Sequence, residues 1–350
     1  MDWTSFVGHH RQRDWFANAI ASNRLASTFL MVGPSGIGKR AFAGLVAKTL
    51  LCTTNEPADF QPCGHCETCI QVAAGTHPDV IVVQRDKDKS NLSMEQLVGS
   101  DESRMREGLC YELRMRPYSG RRKIAIVDDA DTLAVEGANS LLKTLEEPPP
   151  GSVIFLIGTS EQRQLRTIRS RSQIVRFSPL AEQELSTLIL RNGLADNPVD
   201  ATRIAQSSHG SIERAKQTID AALDEFRQQL IVELCAFPID FPKLSKWIVT
   251  HLGDASTTEN QVRRDRLKWV LNVAIDVYRD TMREQLGLHS RGSLDPSTEA
   301  VRSLAQRVDS IGWVRLIQRT QEAREQVDRN VSPAALLEAW TAEIASLSRA

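Results

Sequence analysis

The sequence lacks the marks of a membrane or secreted protein. No apolar run approaches the roughly 18 residues that a membrane-spanning helix requires. The N-terminal stretch, MDWTSFVGHHRQRDW, has no apolar core of the kind found in a signal peptide. We therefore expect a cytoplasmic protein with no membrane partner, whose cysteines stay reduced.

An excess of charge of either sign is also lacking. The chain has 43 basic and 44 acidic side chains, which gives a net charge of -1. This balance excludes an overall basic field, so any contact with nucleic acid must be local. Aromatic residues make up only 5% of the sequence, but 41% hydrophobic residues is ordinary for a globular protein. A length of 350 residues predicts two or three domains.

Cysteine is scarce, yet four of the six cysteines lie close together in the sequence LCTTNEPADFQPCGHCETC. Their spacing is C-x10-C-x2-C-x2-C, formed by Cys52, Cys63, Cys66 and Cys69. Four thiolates within one short segment are typical of a closed, tetrahedral, structural Zn²⁺ site. We interpret the nearby His65 and His77 as bystanders, and the isolated Cys110 and Cys235 as packing residues.

The hydrophobic pattern predicts an α/β fold in the first half of the chain. Near-continuous apolar strands alternate with helical patterns, which favours a parallel sheet covered on both faces. The clearest helix has Ala138, Leu141, Leu142 and Leu145 on one face and ends before Pro148. The predicted strands are 27–32, 79–83, 123–127, 152–157 and 173–177.

The pattern changes after Pro179, where amphipathic helices continue almost without strand signals. We predict three parts: an α/β domain at 1–178, a small helical domain at 179–221 and a second all-α domain at 222–350. In the last part, large apolar residues are candidates for the core or for contacts with other subunits, and the core is the more ordinary place for them. They are Trp247, Trp269, Val270, Trp313 and Trp340.

Residues 33–40, GPSGIGKR, lie between a predicted strand and a helix, which is the context of a phosphate-binding loop. Backbone N–H groups around Gly33, Gly36 and Gly38, together with Lys39, would hold the phosphates of ATP or ADP. A glycine-rich turn needed only for steric reasons is the alternative. Arg40 stands where a Ser or Thr hydroxyl would hold Mg²⁺, so we expect hydrolysis at this site to be impaired even if a nucleotide binds.

The strand in IAIVDDAD ends in acidic residues that would complete such a site. Asp128 is placed to hold a water of Mg²⁺. Asp129 stands where ATPases of this kind usually have a Glu that positions the attacking water, and Asp is one methylene shorter. Alternatively, these acids and Asp131 cap a helix.

Several motifs together resemble the clamp-loader subunits of bacterial DNA polymerase III, which belong to the AAA+ family. They are the cysteine knuckle after a phosphate-loop helix, GTHPD (75–79), NSLLKTLEEPPPGSVIFLIGT (139–159) and TIRSRSQIVRF (167–177). The resemblance is dense over about residues 5–180 and rests mainly on helical pattern beyond them. It implies an AAA+ nucleotide-binding domain with a zinc insertion at 52–69, a helical lid domain and a helical collar domain that joins subunits.

The resemblance also implies a hetero-pentamer with gamma/tau and delta subunits that places a sliding clamp on primer-template DNA. Thr159 matches a sensor of the γ-phosphate. Arg171, in Ser170-Arg171-Ser172, matches an arginine finger that reaches the ATP site of a neighbouring subunit. Arg214, in HGSIERAK (209–216), resembles a second sensor but is displaced by one position.

Arg40 and Asp129 alter parts that a subunit needs for its own hydrolysis, whereas Arg171 is retained. This contrast favours a rigid subunit that does not hydrolyse ATP. The alternatives are a gamma/tau-type ATPase subunit, a self-sufficient AAA+ ATPase and a zinc-dependent nucleic-acid-binding module. Robust turnover by the isolated chain would favour an ATPase, and tight binding of duplex DNA by the monomer would favour the module.

Overall fold

The computed structural model describes residues 2–86, 89, 91–100, 102–104, 106–253, 260–288, 299–327 and 331–347. The chain divides into two compact units. The N-terminal unit comprises Met1–Gly193 and Gly210–Glu213, and the C-terminal unit comprises Leu194–His209 and Arg214–Ala350.

The N-terminal unit contains a five-stranded sheet with the order β2-β3-β4-β1-β5, in which all neighbouring strands are parallel. The strands are β1 (Thr28–Val32), β2 (Val80–Val83), β3 (Lys123–Val127), β4 (Ser152–Gly158) and β5 (Gln173–Arg176). The predicted parallel sheet is thus confirmed, and each strand boundary lies within one residue of its predicted position.

Alternation of side chains across the central strands gives the sheet two hydrophobic faces. Phe29 and Met31 of β1 lie in one core with Phe155 of β4, whereas Leu30 lies in a second core with Leu156. All five residues are essentially inaccessible to solvent. Because helices cover both faces, the central strands are apolar at nearly every position, which is why their sequence shows no period of two.

The helices of the N-terminal unit include the two on which the site prediction depends. Helix α2 begins at Lys39, directly after the glycine-rich segment, and α6 buries Ala138, Leu141 and Leu145, as predicted. The helices are α1 (His10–Ala21), α2 (Lys39–Leu51), α3 (Glu67–Ala74), α4 (Met94–Val98), α5 (Leu109–Glu112), α6 (Val135–Glu146), α7 (Arg166–Arg169) and α8 (Glu182–Arg191).

The described residues of the C-terminal unit form helices joined by turns and loops, with no strand. Trp313 and Trp340 are fully buried, and their indole N–H groups donate to Gln285 and Thr320. Trp247 and Trp269 pack against the same core, so all the large apolar candidates, including Val270, contribute to it. The helices are α9 (Pro198–Ser207), α10 (Ile212–Ile219), α11 (Ala221–Cys235), α12 (Phe241–Leu252), α13 (Asn260–Gln285), α14 (Glu299–Arg307), α15 (Ser310–Val327) and α16 (Pro333–Leu347).

Helix α10 carries residues of both units, since the division falls between Glu213 and Arg214. The separate lid domain at 179–221 and collar domain at 222–350 therefore remain predictions. None of the helices in the described ranges is long and apolar enough to cross a membrane.

A buried ion pair fixes the start of β2. The Asp79 carboxylate is inaccessible to solvent and lies 3.5 Å from Lys123 Nζ. It also accepts hydrogen bonds from the backbone N–H groups of Tyr118 and Ser119, at 2.7 and 2.8 Å, and from the Ser119 hydroxyl at 2.7 Å. Burial alone would raise the pKa of Asp79, but these hydrogen bonds and the Lys123 charge outweigh it and lower the pKa below its ordinary value.

We expect Asp79→Asn to lower the free energy of unfolding by about 3 kcal/mol, because it leaves the buried Lys123 charge uncompensated. The matched change at an exposed pair, Asp14→Asn, should cost less than about 1 kcal/mol, since Asp14 pairs with Arg13 at the surface. Urea denaturation measures both values.

The stability that Asp79 contributes should fall as the pH is lowered. A carboxyl group with a lowered folded-state pKa contributes stability above its ordinary pKa of 3.8 and loses it as the pH falls through the folded-state pKa. The difference between the parent and Asp79→Asn should therefore be constant near neutrality and shrink below about pH 4. An equal cost for both Asn variants would contradict this account of Asp79.

Candidate nucleotide site and cysteine cluster

The glycine-rich loop joins β1 to α2 and requires its glycines for two reasons. Gly36 and Gly38 have φ angles of 72° and 99°, in the region that favours glycine. A Cβ atom at Gly33 would lie 2.3 Å from the carbonyl oxygen of Phe177, and one at Gly36 would lie 2.4 Å from Ser211 Oγ. The loop thus has the strand-to-helix position expected of a phosphate-binding loop.

Lys39 is the first residue of α2 and is only 6% exposed. Its Nζ donates hydrogen bonds to the carbonyl oxygens of Gly33 and Pro34, both at 2.6 Å, so the amine lies folded over the loop. Burial lowers the pKa of Lys39, and the charges of Asp131 and Asp128 oppose this effect. The lysine is therefore close to both the loop and the acidic residues that follow β3.

Arg40 pairs with the acid that was predicted to hold a metal ion. Its guanidinium Nη1 lies 3.4 Å from Asp128 Oδ2 and also donates to the side-chain oxygen of Gln84. Asp128 follows β3, and its side chain is 21% exposed. A cation that binds next to Asp128 must therefore compete with the half-exposed Arg40 guanidinium, and it also lacks the hydroxyl ligand that Arg40 replaces.

Asp129 also faces an arginine. Its Oδ2 atom lies 3.8 Å from Arg85 Nε, and its backbone has the left-handed φ of 54°. Burial and the adjacent Asp128 charge raise the pKa of Asp129, whereas Arg85 opposes this shift. The Asp129 carboxylate is therefore already paired with the positive charge of Arg85, and a water molecule that it positioned would have to share it with that arginine.

Thr159 follows β4 and points to Asp131. Its backbone N–H and its hydroxyl both donate to Asp131 Oδ2, the former at 2.6 Å, and Gln164 Nε2 donates to Oδ1 at 2.6 Å. Asp131 lies in a short 3₁₀ turn after β3 and binds the neighbouring strand end. These contacts differ from helix capping, which was the alternative for this residue.

The segment Gly210–Glu213 closes over the glycine-rich loop within the N-terminal unit. Ser35 Oγ donates to Glu213 Oε2 at 2.8 Å, and Ser211 Oγ donates to the carbonyl oxygen of Ser35 at 3.0 Å. The backbone N–H of Ile212 donates to the Gly36 carbonyl at 3.0 Å. A carboxylate at this place disfavours an anion at the loop, because like charges repel. A role for Glu213 is not predicted by the sequence analysis, although the next residue, Arg214, is considered there.

Arg214 forms an ion pair within the C-terminal unit. Its Nη1 lies 2.7 Å from Asp276 Oδ2, and His209 Nε2 lies 3.6 Å from the same oxygen. Asp276 belongs to α13, so this pairing connects residues far apart in the sequence. A sensor role for Arg214 remains a prediction.

Arg171, the predicted arginine finger, follows α7 and is paired with a glutamate. Its Nη2 lies 2.6 Å from Glu146 Oε1, and its Nη1 donates to the Thr167 carbonyl at 3.0 Å and to Ser170 Oγ at 3.2 Å. The side chain is 32% exposed. An arginine held in one place and still open to solvent is suited to contact an anion outside the chain.

The four clustered cysteines converge, as their spacing predicted. Their sulfur atoms all lie within 4.8 Å of one another: Cys52, Cys63, Cys66 and Cys69. A tetrahedral zinc site with Zn–S distances near 2.3 Å has sulfur atoms about 3.8 Å apart, so a small adjustment suffices. Backbone N–H groups of Cys63 and Cys66 approach the sulfurs of Cys52 and Cys63 at 3.4 and 3.3 Å. The cluster can hold a zinc ion with no protein ligand left to supply.

The cysteines of the cluster differ in pKa, and neither nearby histidine joins them. Burial alone would raise the pKa of Cys66, but hydrogen bonds from Thr53 and from the backbone N–H of Cys69 lower it to about 5, whereas burial raises the pKa of Cys69 to about 12. His65 Nδ1 contacts the Cys63 carbonyl, and the buried His77 Nδ1 accepts from the Asp79 N–H. Neither histidine therefore contributes to the cluster within the described structure.

The remaining two cysteines are buried in the hydrophobic interior, as expected. Cys110 belongs to a core of the N-terminal unit and Cys235 to that of the C-terminal unit. Burial raises the pKa of both thiols, that of Cys235 to about 12, so they stay protonated and behave as small apolar side chains.

Strand order, the glycine-rich loop after β1 and the acids after β3 define the class of protein. The N-terminal unit has the α/β nucleotide-binding fold of the AAA+ class, with a cysteine cluster inserted after α2.

Comparison with known proteins shows which proteins the chain is similar to. A family model described as DNA polymerase III, delta subunit, matches residues 8–181. The DNA polymerase III subunit delta' of Pseudomonas aeruginosa is 33% identical over 207 residues, or 59% of this chain and 60% of that protein. The delta' subunit of Bacillus subtilis is 31% identical over 210 residues, or 57% of this chain and 60% of that protein.

A DNA polymerase III subunit tau/gamma from Haemophilus influenzae is 31% identical over 222 residues, or 62% of this chain and 30% of that protein. The chain spans about 60% of the length of the two delta' relatives. Over residues 8–181, just under half of its length, the chain matches that family model and is similar to DNA polymerase III delta' subunits.

The purified chain should contain one zinc ion per molecule. Cys63→Ser combined with Cys66→Ser should abolish stoichiometric zinc, because two of four ligands are lost, and should destabilise the knuckle more than the sheet. Metal analysis by mass spectrometry measures the content. His65→Ala is the matched control within the knuckle and should retain zinc. Stoichiometric zinc in the double serine variant would refute the assignment.

Proposed function

We propose that the chain is a clamp-loader subunit of DNA polymerase III that supplies an arginine to the ATP site of a neighbouring subunit and hydrolyses little or no ATP itself. The similarity of the chain to DNA polymerase III delta' subunits supports the clamp-loader assignment. Its partners would be gamma/tau and delta subunits in a hetero-pentamer, which loads the sliding clamp onto primer-template DNA. Contacts with clamp and DNA would be made through that assembly.

The observation that carries the proposal is a contrast between two arginines. Arg40 pairs with Asp128, the acid that a metal-dependent site would need. Arg171 belongs to another sequence motif, is held by contacts with Thr167 and Glu146, and has a side chain that is 32% exposed. The first arrangement disfavours chemistry within the chain, and the second favours chemistry on an anion supplied from outside.

The state of the glycine-rich loop supports the same division of roles. Lys39 folds back onto the loop carbonyls, and Glu213 adds a negative charge at Ser35. ATP or ADP would have to draw the lysine away and tolerate or displace the carboxylate. The glycine-rich backbone retains its strand-to-helix position, so we keep a weakly bound nucleotide as part of the proposal.

Arginine is suited to the proposed role because its charge is permanent and its planar fork presents several donors. A supplied arginine finger increases phosphoryl-transfer rates by roughly 10³ to 10⁵ at the site it enters. The proposal assigns this role to Arg171, and a structural role to the zinc knuckle.

The gamma/tau-type ATPase is the second candidate, because a tau/gamma relative matches the chain about as closely as the delta' relatives do. Such a subunit must hold Mg²⁺ at its own loop. The Arg40–Asp128 ion pair argues against it, since a guanidinium and a metal ion would compete for one carboxylate.

Arg171→Ala should lower the DNA-stimulated ATPase rate and clamp loading of the reconstituted loader severalfold, while zinc content and assembly stay unchanged. The effect on the whole complex should be smaller than roughly 10³, because the other ATP sites receive arginines from their own neighbours. Steady-state turnover with primed DNA measures it.

Arg40→Ala is the informative comparison, because it changes this chain's own loop and should leave the turnover of the loader nearly unaltered. Equal losses in the two variants, or unchanged clamp loading by Arg171→Ala, would contradict the proposed donor role.

A further inference from the structure

The Arg171 guanidinium is held from two directions. On one side, Nη1 donates to the Thr167 carbonyl and to Ser170 Oγ, which anchor it to the turn that ends α7. On the other side, Nη2 lies 2.6 Å from Glu146 Oε1, a distance typical of a charge-assisted hydrogen bond. Contacts within its own turn hold Nη1, and Glu146, which comes from a different element, holds Nη2.

The remaining donors show which side of the guanidinium faces outward. The Nε atom is buried and has no hydrogen-bond partner within the described residues. The Nη1 hydrogens already have acceptors, and Nη2 has a second hydrogen beyond the one directed to Glu146. The Arg171 side chain is 32% exposed, and the second hydrogen of Nη2 is the donor that we assign to an external oxyanion.

Glu146 lies at the last position of α6, a helix whose apolar face is buried against the sheet. Its carboxylate is therefore carried by a rigid element, although half of the side chain is exposed. The next residue, Glu147, is also exposed, ends the same helix as its C-cap and lines a different hollow with Arg114 and Lys143. The two adjacent glutamates have the same charge but different neighbours.

We propose that Glu146 is a positioning residue for Arg171. It holds the guanidinium so that Nη2 faces the γ-phosphate of the ATP bound by a neighbouring subunit. The inference rests on the proposed donor function of Arg171. An unrestrained arginine side chain populates many rotamers, and each productive contact must then be formed at the expense of that freedom. Glu146 fixes the direction beforehand, on a helix that is itself held by the core.

The expected effect of Glu146→Gln is a fall of about fivefold in kcat for the DNA-stimulated ATPase of the reconstituted loader, which corresponds to the upper range for an exposed ion pair. KM for ATP should stay within twofold, because the neighbouring subunit binds the nucleotide. Glu147→Gln removes the same charge one residue away and should leave kcat unchanged. Glu146→Asp keeps the charge on a shorter side chain and should recover part of the rate.

A double-mutant cycle separates positioning from other roles. If Glu146 acts through Arg171, then Glu146→Gln should have no further effect on the rate when Arg171 is already Ala. An equal fall in both backgrounds would overturn the proposal, because Glu146 would then act independently. So would an unchanged rate in Glu146→Gln, or a higher rate, which would mean that the carboxylate withholds the arginine.

The same cycle distinguishes failure of the donor role of Arg171 from failure of the positioning role of Glu146. If Arg171→Ala alone leaves turnover unchanged, the donor function fails, and positioning fails with it. If Arg171→Ala lowers turnover but Glu146→Gln does not, the donor function stands and only the positioning role is overturned. Thermal unfolding of each variant chain, and the size of each assembled complex, show whether a loss reflects misfolding.

Discussion

Opposite charges meet at the carboxyl edge of the parallel sheet, and their pairing within the chain determines the properties of the site. Strands β1, β3 and β4 all end at this edge, so Lys39, Asp128 and Thr159 are brought together by the topology. The lysine binds loop carbonyls, and the aspartate meets Arg40. The fold thus provides the frame of a nucleotide site, and the side chains satisfy much of its charge internally.

This internal pairing separates two functions that often occur together in one polypeptide. A subunit that hydrolyses ATP needs free carboxylates for metal and water at its own loop, whereas a subunit that assists a neighbour needs an accessible cation elsewhere. Here the acids after β3 face Arg40 and Arg85, and the glycine-rich loop faces Glu213. Arg171 is paired with Glu146 of the same chain, and its side chain remains partly exposed. This distribution of charge is the reason for proposing that the chain is a non-hydrolysing member of a larger assembly.

The sequence contained enough information for the sheet, for the helix that begins at Lys39 and for the cysteine cluster. Each rests on a local pattern: a short apolar run, a glycine-rich turn before a helix, or a fixed spacing of thiols. The partners of the charged residues could not be predicted in the same way. Arg171 and Glu146 are separated by two elements, and Ser35 and Glu213 lie in distant parts of the chain.

Such pairs depend on where folding brings two segments together, and no local signal marks them. Asp131 illustrates the point, because an acid after a strand is equally suited to a metal, a helix N-terminus or a hydroxyl. Only the register of β3 against β4 places it beside Thr159. Asp79 is a second example, since its neighbours in the sequence gave no hint of the buried pairing with Lys123.

The central claim is that the Arg40–Asp128 ion pair replaces a metal ion at the glycine-rich loop. Calorimetric titration of the isolated chain with ADP, in excess Mg²⁺ and separately in excess chelator, tests it most directly. The account predicts the same weak or undetectable affinity in both conditions, and a Mg²⁺-dependent gain only when Arg40→Thr restores a hydroxyl. A tenfold or larger tightening by Mg²⁺ in the unmodified chain would contradict it.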